Sequence, residues 1–342
     1  MRLGIRVLVL MVTSAWLSVP VRSAEPPPPA PILERNVMVP MRDGIQLATD
    51  ILRPGHDGKF PVILSRTPYR KQLGETNGNV RKGVATVVQD VRGRYASEGE
   101  FFPFIHEAED GFDTIEWLAA QPWCDGNINM IGGSYVGYTQ LAAAIAAPPH
   151  LRAIAPAVPP SDFDRRTLFQ GGTLRQSLIQ GWLLGQSWNS QRVLRDEVRQ
   201  DELEQWESFR DYRAWSTQLP LSDPGPIAVG GERYAEAWTE YVDHWESPTR
   251  WHDFSPVERV DAIQVPVLIN GGYYDIFCQG NIDLTLALRA RGGSPATRRG
   301  SHLMLGPWSH GIGQPVGDQT FDSARQSMQE MLREWQACWV TA

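Results

Sequence analysis

Ile128-Asn129-Met130-Ile131-Gly132-Gly133-Ser134-Tyr135-Val136-Gly137 is the passage on which the fold turns. It opens as an apolar strand over 128–131, crosses two glycines and a serine, and leads into a helical stretch over 138–147 that Pro148-Pro149 ends. A serine on so sharp a strand-to-helix turn has a strained backbone that must approach other elements closely, so small neighbours are needed. The turn exposes the hydroxyl and aims the following backbone N–H, together with the helix N-terminus, at a developing oxyanion. Ser134 is the candidate nucleophile and the Tyr135 N–H a candidate oxyanion donor. Val136 stands where the pattern G-x-S-x-G has its last glycine, with Gly137 one place later, and a Gly-Gly-Ser turn also serves as a plain structural loop.

Outward from this turn the chain alternates strands with helices. Near-continuous apolar strands are expected over 61–65, 84–90, 128–131, 153–158, 265–270 and 302–305, with helices over 107–120, 138–147 and 281–291. That rhythm predicts an α/β fold, a mostly parallel sheet with helices on both faces. Short β-rich runs over 36–40 and 46–52 flank Arg42-Asp43-Gly44 and read as an opening antiparallel hairpin. From 161 to 259 there is no core strand, yet Trp182, Trp188, Trp206, Trp215, Trp238, Trp245 and Trp251 fall there. The segment reads as an inserted helical cap over the carboxyl edge of the sheet, a thick helical layer being the plainer reading. The core then comprises 25–160 and 260–342, with a closing helix over 321–340.

The 342 residues, 42% hydrophobic and 21% charged, are enough for a large core. A net charge of −7 with scattered arginines excludes the clustered positive field that a nucleic-acid partner requires. Residues 1–24 read as a signal peptide: Arg2 and Arg6, an uncharged run over 7–19, then small residues before Glu25. The run is shorter than the roughly 20 apolar residues of a membrane span. An exported protein, periplasmic or secreted and without stable membrane insertion, is expected to begin with the Pro-rich 26–31. Cys124, Cys278 and Cys338 allow one bridge at most and have no metal-ligand spacing, and Cys124 and Cys278 are expected to be buried and inert.

Three further residues complete a chemistry. Asp275 follows Gly271-Gly272-Tyr273-Tyr274 at the exit of the strand over 265–270 and lies after Ser134, as the order Ser, Asp, His of α/β-hydrolases requires. It is the candidate to orient the base, its plainer role being a helix cap. Only His302 and His310 come later, and His302 sits at a strand start whereas His310 lies on a Gly-rich loop free to reach Ser134. His310 is the candidate general base. Tyr69, on the loop Ser65-Arg66-Thr67-Pro68-Tyr69, is placed to give a second oxyanion donor, although loop tyrosines more often pack.

Gly132-x-Ser134-Tyr135-x-Gly137, Thr67-Pro68-Tyr69, Gln89-Asp90-Val91-Arg92-Gly93-Arg94-Tyr95 with Ser97-Glu98-Gly99, Gln121-Pro122-Trp123 and Gly306-Pro307-Trp308-Ser309-His310-Gly311 occur together and in order. Over about 33–311 the chain resembles the cocaine esterase, X-Pro dipeptidyl-peptidase and cephalosporin-acylase family of α/β-hydrolases. The family's turn carries tyrosine directly after the serine and glycine three places after it, which accounts for Val136. The resemblance implies Ser134, Asp275 and His310 as the triad, Tyr69 and Tyr135 as the oxyanion hole, a structural role for 92–99, and no cofactor or metal.

It also implies a small-molecule ester or acyl-amide substrate. The α-amino-acid ester hydrolases of the family carry carboxylates just after the triad aspartate, whereas Ile276-Phe277-Cys278 stand here. An X-Pro peptidase needs an anionic clamp for a free N-terminus, and the sequence does not single one out. Family members normally continue into a C-terminal β jelly-roll that helps wall the pocket, and this sequence is expected to lack it. Two other expectations follow from that: an inactive fragment or binding protein, and an exposed apolar surface that favours a homo-oligomer.

Overall fold

Strands made of aliphatic and β-branched residues with few charges must bury both faces, which a parallel sheet under helices achieves. The computed structural model describes residues 30–74, 78–208, 217, 219–244, 247 and 251–340, and places these runs in one eight-stranded sheet. The expected leader over 1–24, Trp215 and Trp245 lie outside the described residues. β1 (Ile32–Pro40) and β2 (Gln46–Arg53) form the antiparallel opening hairpin, and β2 pairs antiparallel with β4 (Ala85–Asp90). β3 (Phe60–Thr67), β5 (Cys124–Gly133), β6 (Leu151–Ala157), β9 (Leu268–Gly272) and β10 (His302–Gly306) continue the sheet in parallel, in the order β1-β2-β4-β3-β5-β6-β9-β10. Between β6 and β9 the only paired strands described are the short ribbon β7 (Phe169–Gln170) and β8 (Thr173–Leu174), separate from the sheet.

The cover of the two faces is unequal. Val62 and Leu64 of β3 enter the main core with Ile115 and Leu118 of α1 (Glu107–Ala119), Leu141 of α2 (Tyr135–Ile145) and Leu284 of the helix Cys278–Arg291. The intervening Ile63, pointing the other way as strand alternation demands, joins a small cluster with Val84, Ile131 and Val340 among the described residues. The closing helix Asp322–Trp339 has no fully buried residue. α1 and α2 come close because Gly111 has no Cβ: one there would lie 2.7 Å from Cβ of Ala143.

The segment between β6 and β9 builds a second core. Phe163, Leu168, Ile179 and Leu183 pack with Tyr234, Trp238 and Trp251, and this group closes on Phe101, Phe104, Tyr135 and Tyr138 beside the serine turn. Ile179 and Leu183 belong to α3 (Gln176–Trp188). Several boundaries differ from the sequence reading, β1 and β5 each starting four residues earlier than expected, and two of the shifts have a plain cause. α2 starts at Tyr135 rather than 138, because Ser134 O accepts the N–H groups of Gly137 (2.8 Å) and Tyr138 (3.0 Å) and the glycine there is a packing contact, not a breaker. β9 starts at Leu268 rather than 265, Pro266 having no N–H to donate, and runs on into Gly271-Gly272. Among the described residues no helix is long and apolar enough to cross a membrane.

Candidate active site

Ser134, between β5 and α2, has φ 59° and ψ −125°, a positive-φ conformation that a non-glycine residue holds only under constraint. Its N–H donates to Ala157 O at 2.8 Å, tying the turn to β6. The small residues around it answer two close approaches. A Cβ on Gly132 would lie 2.2 Å from Cγ1 of Val136, and one on Gly137 would lie 3.1 Å from Ala157 O and from Cβ of Pro159. The third glycine is therefore needed one place later than in G-x-S-x-G, where α2 leans on the end of β6.

Asp275 and His310 come from the neighbouring strand exits. The Tyr273 N–H donates to Gly306 O (2.8 Å) and the Tyr274 N–H to Trp308 O (3.0 Å), so the two loops are laced together. Gly272 and Gly306 make room for the buried Trp308, since a Cβ on Gly306 would lie 2.0 Å from its ring. The Asp275 side chain is fully buried. Its Oδ1 accepts the Phe277 N–H at 2.8 Å and its Oδ2 bonds Nδ1 of His310 at 2.7 Å. His310 Nε2 stands 2.9 Å from Ser134 Oγ, and the Phe277 ring meets the imidazole edge to face. Arg175 donates to Ile276 O (3.1 Å), beside this aspartate; burial lowers its pKa, and the Asp275 charge opposes that shift.

Tyr69 faces the serine from the β3 exit. Its oxygen accepts the Nε1–H of Trp182 at 3.2 Å. Burial raises the phenol pKa, while hydrogen bonds with Trp182, Ser134 and the Tyr135 amide act against it. The segment after β4 holds this loop down. The Val91 N–H donates to Thr67 O (3.0 Å), the Lys71 N–H to Asp90 Oδ1 (2.6 Å) and Arg94 Nε–H to Pro68 O (2.9 Å). Arg94 is wholly buried, and its Nη1 reaches Gln186 O of α3 (2.9 Å) and the Tyr234 hydroxyl. Below Ser134 the Tyr135 hydroxyl donates to Glu107 Oε1 (2.8 Å), whose Oε2 accepts from Arg66 Nη1 (2.8 Å). Burial raises the Glu107 pKa against the pull of Arg66.

Over Ser134 and His310 lies a cavity of about 140 Å³. Phe104, Pro160, Leu178, Ile179, Trp182 and Phe277 form most of its wall, and among the described residues no Asp, Glu, Lys or Arg lines it. Larger clefts open elsewhere, beside Pro148 and Trp339 and beside Arg92 and Arg233, away from Ser134. Among the described residues no group of three or more His, Cys, Asp or Glu side chains is arranged to hold a metal ion. The three cysteines are free, Cys124 buried, Cys278 half-buried and Cys338 exposed.

Residues 43–312 match the family described as X-Pro dipeptidyl-peptidase (S15 family). The chain belongs to the X-Pro dipeptidyl-peptidase family. A cocaine esterase from Rhodococcus sp. (strain MB1 Bresler) is 36% identical over 287 residues, 80% of this chain and 48% of that protein. An aminopeptidase from the marine sediment archaeon Thaumarchaeota archaeon shares the fold with a TM-score of 0.70 at 24% identity, over 94% of this chain and 57% of the other. An α-amino acid ester hydrolase does so with a TM-score of 0.68 at 24% identity, over 96% and 57%. The chain spans about half the length of the curated relatives it matches.

Within this X-Pro dipeptidyl-peptidase family chain, all five residues singled out from sequence meet around one point. His302, the alternative to His310, is exposed at the first position of β10. Sequence reasoning did not find Trp182, Arg94, Arg175 or Glu107. The family signature around Arg94 was visible, but nothing local says that a guanidinium there reaches α3, 92 residues onward.

Proposed function

We propose that this chain is a serine hydrolase that cleaves carboxylic esters or acyl amides bearing a compact, uncharged acyl group. The observation that carries the reading is the hydrogen-bonded line Asp275, His310, Ser134 at the floor of an uncharged cavity. His310 Nε2 takes the Ser134 proton as Oγ bonds to the carbonyl carbon. The oxyanion is received by the Tyr69 O–H and the Tyr135 N–H, and Asp275 holds Nδ1–H and steadies the imidazolium. The alcohol or amine leaves with the proton from His310, and a water deprotonated by the same nitrogen releases the acid and restores Ser134.

The cavity is about the size that holds one benzene ring. Among the described residues it offers no carboxylate to a substrate ammonium, which argues against aminoacyl esters and the free N-terminus of an X-Pro peptide. The cocaine esterase relative, an esterase by name, supports esters first. In this reading 161–259 acts as the cap and the leader over 1–24 exports the enzyme; N-terminal sequencing of the mature chain tests export.

Fluorophosphonate labelling of the wild type and Ser134→Ala tests the chemistry. Labelling of the wild type alone is expected, followed by faster turnover of 4-nitrophenyl benzoate than of an aminoacyl ester or Gly-Pro-4-nitroanilide. A folded wild type that does not label overturns the hydrolase reading and leaves a binding protein. Preference for Gly-Pro-4-nitroanilide overturns the substrate class alone.

A further inference from the structure

We propose that Trp182 is a positioning residue of the oxyanion hole, whose indole N–H fixes the Tyr69 hydroxyl so that the phenol proton points at the reacting oxygen. The inference rests on the hydrolase reading above. An indole Nε1–H only donates, so at 3.2 Å the direction of its bond to Tyr69 is settled: tryptophan gives and the phenol oxygen accepts. The phenol's own proton is thereby left over. The Tyr135 amide and the Ser134 side chain are the other hydrogen-bond partners of the phenol. With donors on its lone pairs, the Tyr69 O–H is directed toward Ser134, where a carbonyl oxygen develops charge. A donor on the phenol oxygen also makes its O–H a stronger donor.

The indole cannot easily turn away. Its ring stacks on Tyr135 (centroids 5.7 Å apart, planes 14° from parallel) and on Phe104 (5.7 Å, 20°). Arg94 secures both ends of the contact, since one guanidinium bonds Pro68 O, next to Tyr69, and Gln186 O, one turn beyond Trp182 on α3. The oxyanion hole is thus completed by the inserted helical segment. A tryptophan that merely walled the cavity would not need its nitrogen there.

The experiment removes the N–H and keeps the ring, in two backgrounds. 4-Nitrophenyl acetate is the probe, its acetyl group being too small to depend on the far wall. Trp182→Phe is expected to lower kcat about three- to tenfold with KM little changed, the size of one neutral hydrogen bond. Tyr69→Phe is expected to lose about 10²–10³-fold in kcat. Adding Trp182→Phe to Tyr69→Phe then costs nothing more, because the proton that the indole orients is gone. If the phenylalanine variant does not fold, β-(3-benzothienyl)alanine at 182, an indole isostere with sulfur in place of N–H, gives the same comparison. An equal loss in both backgrounds, a loss confined to KM, or an unchanged rate in a labelling-competent enzyme overturns the positioning role and leaves the hydrolase reading standing. A wild type that fails to label with fluorophosphonate removes both.

Discussion

The carboxyl edge of the sheet and the helical segment inserted between β6 and β9 contribute to the same cavity by different routes. The edge presents Ser134, Asp275 and His310 from strand exits rich in glycine, of which Gly132, Gly137, Gly272 and Gly306 answer close approaches. The inserted segment presents Thr167, Leu178, Ile179 and Trp182 from irregular turns and α3, with no local marker that separates them from ordinary core residues. Chemistry is written into turns because a turn must satisfy its own backbone. Pocket shape is written into packing, which any apolar residue of the right size can satisfy.

Changes on the sheet edge are expected to move rate without stability. Ser134→Ala carries the largest expected effect, a loss on the order of a millionfold in kcat, with a urea midpoint equal to that of the wild type. Arg94→Met joins the two regions in one variant: it strips donors from Pro68 O, Gln186 O and the Tyr234 hydroxyl and is expected to cost about 2–4 kcal/mol in urea unfolding and to lower kcat as well. If kcat holds while stability falls, the two regions are not coupled through this side chain.

A matched pair of leucines sharpens the contrast. Leu118, on the buried face of α1, and Leu183, beside Trp182 on α3, are both fully buried, and truncation of either to alanine is expected to cost about 2–5 kcal/mol. Only Leu183→Ala is expected to raise KM for 4-nitrophenyl benzoate; a matching rise for Leu118→Ala would dissolve the distinction.

The smallest effect concerns pH. Asp162, at the start of the inserted segment, has its pKa raised from 3.8 to about 6, chiefly by burial and then by its bond to Asp164. The folded state therefore holds this proton more tightly than the unfolded one. The stability this confers is present below pH 3.8 and fades as pH rises through 6. Asp162→Asn keeps an acceptor for the Arg165 N–H and is expected to flatten that decline, seen as a smaller difference in Tm between pH 4 and pH 7.

Much of the fold was legible because hydrophobic strands and turn glycines are local signals. The parallel strands and their order along the chain followed from composition, and Asp275 and His310 followed from lying past strand ends. Misplacement came at element starts: Gly137 belongs to the serine turn by its pattern yet sits inside α2, and the apolar run before Leu268 holds Pro266, which cannot donate to the ladder. The unequal cover of the two faces was not legible either, since the closing helix Asp322–Trp339 is amphipathic in sequence but buries none of its residues fully.

By itself the sequence determined the serine turn, the order of the catalytic candidates and the α/β class, because each depends on contacts within a few residues or on a repeating period. Only the tertiary structure decided that Trp182 meets Tyr69 across 113 positions, that Arg94 holds both their segments, and that the described lining of the cavity carries no Asp, Glu, Lys or Arg. Those facts depend on which surfaces a buried side chain finds, and burial is a property of the whole packed chain rather than of any stretch of it.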